Sequence, residues 1–189
     1  PARRDKPFVK VFREEREQTL FFLVDASASL GFGKNRYKSE IAGEIAALLA
    51  FAAIKSNDKV GLIVFSDRIE RFIPPKKGRA HVWNIIASIL NHKSYDGKTN
   101  ISAAMQFFLN VAHRRTIGIL VSDLLDDGFE DTLKLVGNRH DLIVMRILDV
   151  LERKMPPGAL MDFVDLESGA PLSVDLNATQ RKKNFEPEV

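Results

Sequence analysis

The chain has 189 residues, 45% of them hydrophobic, and a net charge of +3, which suits one ordinary domain with a complete core. It contains no cysteine, so disulfides, thiolate metal sites and cysteine nucleophiles are excluded, and any metal must rely on oxygen ligands or the four histidines. The mild basic bias is spread out without an aromatic-basic module, which argues against nucleic-acid binding. The longest apolar stretch, residues 41–54, is interrupted by Glu44 and is too short to span a bilayer.

The opening segment PARRDKPFVK has neither a signal-peptide core nor an initiator Met, so the chain is expected to be part of a longer protein. We divide it into a lead-in at 1–17, a domain at 18–176 and a polar tail at 177–189. The mixed charges at 13–17 read as a solvated approach to the first strand.

Residues 19–24, TLFFLV, form a continuous apolar run, the pattern of a strand buried on both faces of a parallel sheet. The run ends at Asp25 and the small-residue loop ASAS. Helical spacing follows over 39–55, with Ser39 as N-cap and Ile41, Ile45, Leu48, Leu49 and Ala52 on one side. A turn at 56–58 leads to a second buried strand at 59–65. The alternating stretch 69–73 reads as an edge strand reached by a tight hairpin and stopped by Pro74 and Pro75.

An amphipathic helix at 79–90 carries Trp83, read with Ile85, Ile86 and Ile89 as core. A loop at 95–100 precedes a helix at 101–113. The third buried strand, 116–121, also leads to an acid, Asp123. A helix at 129–138 and a strand at 141–147 follow. Two short strands at 160–165 and 171–175, joined by a Glu-Ser-Gly turn, come last. Apolar strands alternating with helices imply an α/β fold, a three-layer αβα open sheet that is mostly parallel with one antiparallel edge strand.

In such a sheet, ligands bind at the carboxyl ends of the strands, where strand order reverses. Three oxygen-bearing segments fall there: Asp25-Ala-Ser27-Ala-Ser29, the loop Asp96-Gly-Lys-Thr99-Asn100, and Ser122-Asp123. Mg²⁺ takes six oxygens in near-octahedral geometry and gives up its waters reluctantly. The hydroxyls of Ser27, Ser29 and Thr99 supply neutral oxygens, and Asp25 and Asp123 supply charge, directly or through water. Alternate spacing in DASAS lets residues i, i+2 and i+4 aim at one point, and the alanines keep the loop compact.

The expected metal ligands are therefore Asp25, Ser27, Ser29, Thr99 and Asp123, with Mg²⁺ first and Mn²⁺ or Ca²⁺ as alternatives. Two negative charges against a +2 ion leave a coordination position attractive to one further carboxylate. Lys34 and Asn35, with Arg36, adjoin the DASAS loop either as a solvated stretch or as a contact for a partner's acidic segment. Asp126, beside Asp127, either caps the helix near Phe129 or tunes the metal from outside its ligand shell.

The ordered set DASAS, NDKVGLIVF, DGKTNISAAM and ILVSD resembles the metal-ion-dependent adhesion site of von Willebrand factor A (vWA) domains, over residues 18–150. More narrowly, the segments FVKVFREEREQTLFFLVDASASLGFG, PPKKGRAHVWNII and NRHDLIVMRILDVLERKMP make the chain similar to the bacterial DUF58 family. The vWA resemblance implies that Ser27 and Ser29 coordinate directly, and that Asp25 and Asp123 act as charged or water-bridged ligands. Thr99 would join or leave with conformational state, and a partner's Glu or Asp would fill the open position.

The DUF58 resemblance implies a chaperone-like or assembly factor. Its partner would be a MoxR-type AAA+ ATPase, since such genes often lie side by side. It also implies a bacterial, cytoplasmic setting, at the inner membrane face if a longer chain is anchored there.

Competing chemistries lack their residues. Asp25 is similar in place to the nucleophile of haloacid-dehalogenase phosphatases, but the acid needed two residues later is Ser27. Gly31-Phe-Gly33-Lys34 lacks the spacing of a phosphate-binding loop. His81, His92, His113 and His140 are scattered, and read as helix-surface or helix-end residues. The chain is expected to be no enzyme. Two classes remain: a metal-dependent interaction module, and a scaffold of the same fold with a structural or empty site.

Overall fold

The computed structural model describes residues 17–31, 37–92 and 98–149, together with the strands 160–164 and 171–175. The strands β1 (Thr19–Asp25), β2 (Lys59–Phe65), β3 (Ile69–Lys76), β4 (Ile117–Ser122) and β5 (Asp141–Arg146) form one sheet in the order β3-β2-β1-β4-β5. All pairings are parallel except β2 with β3, so the expected α/β sheet with one antiparallel edge is the observed one. The further strands β6 (Leu160–Val164) and β7 (Pro171–Asp175) pair antiparallel, Leu160 opposite Asp175. The turn expected between them lies outside the described residues.

Central β1 is apolar at every interior position because both its faces are covered. Phe22 and Val24 face one cluster, which holds the helices α1 (Lys38–Lys55) and α2 (Arg79–Leu90). Phe21 and Leu23 face the other, with α3 (Ile101–Val111) and α4 (Glu130–Arg139). Three layers follow directly from this alternation. On β2, Gly61 lies opposite Phe21, and a Cβ there would stand 2.5 Å from the Phe21 ring, so only glycine leaves room for that ring.

Four local expectations are corrected. The face of α1 that enters the core is Ala42, Ala46, Ala50 and Ala53, whereas Leu48 is 71% exposed. Alanine takes the centre of this face because it lets the helix lie close to the sheet, while Ile41 and Leu49 of the expected side pack at its margin. The N-cap of α1 is Tyr37, without a side-chain cap bond, and Ser39 lies inside the helix.

Strand β3 continues through Pro74 and Pro75 to Lys76. Its register shifts between Val60 and Leu62 of β2, so the prolines sit at an irregularity of an edge strand, where a missing N–H costs least. Trp83 is half-exposed and meets Phe51 edge-on at 5.1 Å, outside the core that Ile85, Ile86 and Ile89 do enter.

Candidate functional site

β1 and β4 lie side by side, with β2 beyond one and β5 beyond the other, so the switch point opens between their carboxyl ends. Asp25 ends β1 and Asp123 directly follows β4; both are buried, at 2% and 0% exposure. Two neighbouring buried acids need hydrogen bonds and cations to offset their lost hydration. Asp25 Oδ1 accepts the Ser27 N–H at 2.9 Å, and its Oδ2 accepts the Ser122 hydroxyl at 2.6 Å. Burial nevertheless pushes the Asp25 carboxyl up to about 6; the hydrogen bonds from Ser122 and Ser27 pull it down, and the charge of Asp123 adds to the rise.

Ser122 links this carboxylate to the turn after β4, because its Oγ also accepts the Leu124 N–H at 3.0 Å. Leu124 is held at φ 61°, a left-handed conformation that costs a non-glycine residue roughly 1–2 kcal/mol. The chain turns at this point directly after Asp123, which is fully buried. Asp123 Oδ1 accepts the Leu125 N–H at 3.3 Å, and its carbonyl accepts Arg146 Nε at 3.2 Å. On Oδ2, Lys38 Nζ donates at 2.7 Å, with both side chains 2% exposed or less.

The DASAS loop is fixed from two sides. Ala26 N–H donates to the Phe65 carbonyl at 2.7 Å, and a 3-10 turn at Ala28–Gly31 drops Leu30 into the core, fully buried. Burying such a side chain contributes roughly 1.5–3 kcal/mol, enough to hold a short loop in place. The result sets Ser27 Oγ and Ser29 Oγ 3.0 Å apart, both residues buried.

Thr99 arrives on a third segment. Asn100 N–H donates to the Ser66 carbonyl at 2.9 Å, docking this loop just past β2, and Asn100 Oδ1 caps α3 by accepting the Ala103 N–H at 2.8 Å. Asp126 Oδ2 accepts the Ile101 N–H at 2.7 Å. Asp126 therefore caps α3 rather than the helix near Phe129, which carries its own first-turn acids, Glu130 and Asp131. Thr99 is 8% exposed, and its Oγ1 is buried with no hydrogen-bond partner among the described residues. A stranded hydroxyl of this kind costs about 1–3 kcal/mol unless a ligand meets it.

These residues fit a hard divalent cation in kind. Two buried carboxylates and three hydroxyls, one of them stranded, are the oxygen donors such an ion takes. Among the described residues no three His, Asp or Glu side chains gather as a metal group, so most of the oxygens here would come from hydroxyls and water. Lys34 and Asn35, and Asp96 of the loop before Thr99, lie outside the described residues.

A family model described as "Protein of unknown function DUF58" matches residues 1–189. The chain belongs to the DUF58 family. An uncharacterized protein of Mycobacterium tuberculosis, Rv1480, is 24% identical over 172 residues, covering 89% of this DUF58 chain and 54% of that protein. A Mycobacterium bovis protein matches equally, and the chain spans about half the length of the curated relatives it matches. Among solved structures, an aerotolerance-related membrane protein from Bacteroides fragilis superposes with a TM-score of 0.62 at 18% identity, over 85% of this chain and 82% of that one. The conserved hypothetical protein BatB from Bacteroides thetaiotaomicron gives 0.60 at 18% identity, over 85% and 81%. At such identity these likenesses are of fold.

Two residues of this DUF58 site escaped the sequence reading. Ser122 belongs to the oxygen-bearing segment Ser122-Asp123, but its role as donor to Asp25 is not among the expectations. Lys38 precedes the helix expected over 39–55 and carries no expected role, although a cation in the first turn opposes the helix dipole and so calls for a nearby anion. Among the described residues the histidines join no group of metal-ligating side chains. His81 Nε2 hydrogen-bonds the Val60 carbonyl at 2.8 Å, and His140, buried against Phe108, has its pKa pushed down by burial.

Proposed function

We propose that this chain is a metal-dependent protein-interaction module whose Asp25, Ser27, Ser29, Thr99 and Asp123 hold Mg²⁺ in the manner of a vWA adhesion site. A Glu or Asp of a protein partner completes the ion's coordination, and that partner is a MoxR-type AAA+ ATPase. The observation that carries this reading is the stranded Thr99 hydroxyl, buried on a loop docked just past the end of β2, whose neighbour β1 ends at the buried Asp25. Bound there, the ion supplies charge and an open position for a carboxylate.

The chain's own residues do the positioning. Ser122 and the Ser27 N–H orient Asp25, the Leu125 N–H and Lys38 hold the Asp123 carboxylate, and Asp126 and Asn100 set the start of α3 beside Thr99. Among the described residues no nucleophile paired with a leaving-group acid accompanies them, and the docking reading is the one we favour. Membership of DUF58 supports an interaction or assembly role, with the ATPase its proposed partner.

A second reading, a scaffold with no resident metal, is favoured by the ion pair of Lys38 with Asp123, which already supplies one positive charge. Melting the protein in Mg²⁺, Mn²⁺ and EDTA separates the two, with ATPase capture from a matching co-expression as a second readout. The module reading expects a metal-dependent rise in melting temperature and EDTA-sensitive capture, both lost in Asp25→Ala. A melting temperature indifferent to metal, with capture that survives EDTA, would establish the scaffold instead.

A further inference from the structure

Lys38 is the first residue of α1, yet it is 1% exposed, a rare state for a lysine. Its ammonium donates to Asp123 Oδ2 at 2.7 Å, on a carboxylate whose other oxygen is held by the Leu125 N–H. The helix dipole at this end repels a cation, and the buried acid offsets that repulsion. Asp25 and Asp123 together bring two negative charges. With Lys38 in place these three side chains carry one net negative charge; a divalent ion added to them before any partner carboxylate arrives would leave one uncompensated positive charge in a buried space, and Arg146 at the Asp123 carbonyl adds to it. A cation at Asp123 and the ammonium at Asp123 are therefore alternatives, since like charges at contact distance in a buried site repel strongly.

We infer that Lys38 is a tethered counter-cation that holds Asp123 in the metal-free protein, and that a divalent ion binds only by displacing the Lys38 ammonium. Metal binding is thereby coupled to release of the first turn of α1, whose Ser39 lines a small crevice with Asp25 and His92. This inference rests on the metal-site reading above and adds a regulator to it. Affinity is set by the exchange of one cation for another, so the site fills at higher metal concentration than its oxygens alone would require.

The test compares wild type, Lys38→Met and Lys38→Gln by calorimetric titration with Mn²⁺ and with Mg²⁺, alongside melting in EDTA. Gln keeps a hydrogen-bond donor near Asp123 while removing the charge. Displacement expects both variants to bind Mn²⁺ about tenfold tighter or more, within the range common for coupled sites. It also expects a larger metal-induced rise in melting temperature than wild type shows.

Should the variants prove too unstable, the wild-type Lys38 ammonium serves as its own reporter. Its ¹⁵N–¹H resonance, protected by burial, should shift and broaden as Mg²⁺ saturates the site. Equal affinity in all three chains, or an ammonium signal unmoved at saturation, overturns displacement and leaves the metal site standing. Absence of binding in every chain overturns the metal site and this inference with it.

Discussion

The two ends of β1 each carry an ion pair, and they differ in what water can do. At the amino end, Glu17 bridges Lys59 and Lys77, each at 2.6 Å, with side chains 33–44% exposed. At the carboxyl end, Asp123 meets Lys38 at 2.7 Å with almost no exposure. Water screens the first pair and makes its loss cheap. The second is held where taking two charges out of water costs more than a pair of well-packed apolar residues would. Stability alone does not account for keeping it, so the buried pair is the one to read for function.

The largest effect should come from breaking the buried end. Asp123→Ala strips the Lys38 ammonium of the carboxylate facing it, and losing one partner of a buried pair costs about 3–5 kcal/mol. Urea unfolding followed by circular dichroism should show a loss of that size, and Mn²⁺ should no longer raise the melting temperature. A loss below about 1 kcal/mol would put this pair in the class of the exposed one.

Next comes a change that touches neither end. Gly61→Ala drives a methyl into the Phe21 ring, and overpacking of this kind costs about 1–3 kcal/mol. Because the strand ends are untouched, the metal-induced rise in melting temperature should persist. If it vanished together with stability, the metal response would report general fold integrity rather than the carboxyl end.

The fold was legible because its signals are repetitive. Apolar runs such as TLFFLV and KVGLIVF state burial on both faces, and the polar breaks between them mark the helices. The oxygens at the strand ends followed, since the carboxyl end of a parallel sheet is a fixed place. Less legible were features set by tertiary packing. Which stripe of α1 faces the sheet depends on how closely the helix approaches, and close approach puts Ala42 and Ala46 at its centre, with Ile41 and Leu49 packed at its margin and Leu48 in solvent. Lys38 was hidden by distance: its partner lies 85 positions along the chain, and no local pattern links them. Asp126 stood beside a helix start it does not serve, and only the three-dimensional return of the chain brings it to Ile101.

A smaller effect should follow from Asp126. Asp126→Ala removes an anionic acceptor from the first turn of α3 and should cost about 1 kcal/mol, as lost caps do. The position sharpens the comparison because Asp126 sits at the functional end yet touches none of the five proposed ligands by hydrogen bond. Its loss should loosen the segment that presents Thr99, so Mn²⁺ affinity should fall while stoichiometry stays at one. Unchanged affinity at reduced stability would make Asp126 a helix cap and nothing more.

The smallest effect belongs to the amino end, and its sign in pH is opposite to that of the carboxyl end. The hydrogen bonds from Lys59 and Lys77 hold the Glu17 carboxyl down at about 2, from an ordinary 4.5. Its contribution is therefore present above pH 4.5 and is lost as pH falls from 4.5 toward 2. Asp25, pushed up to about 6 from 3.8 by burial, runs the other way: in the metal-free protein its charging weakens the fold as pH rises from 3.8 to 6. Glu17→Gln should lower the melting temperature barely measurably at pH 6 in low salt. The difference from wild type should close as pH approaches 2, and close again at 1 M salt, where charges are screened beyond about 3 Å. A difference that persists at both extremes would mean that Glu17 acts through packing, and the two ends of β1 would then differ in more than their access to water.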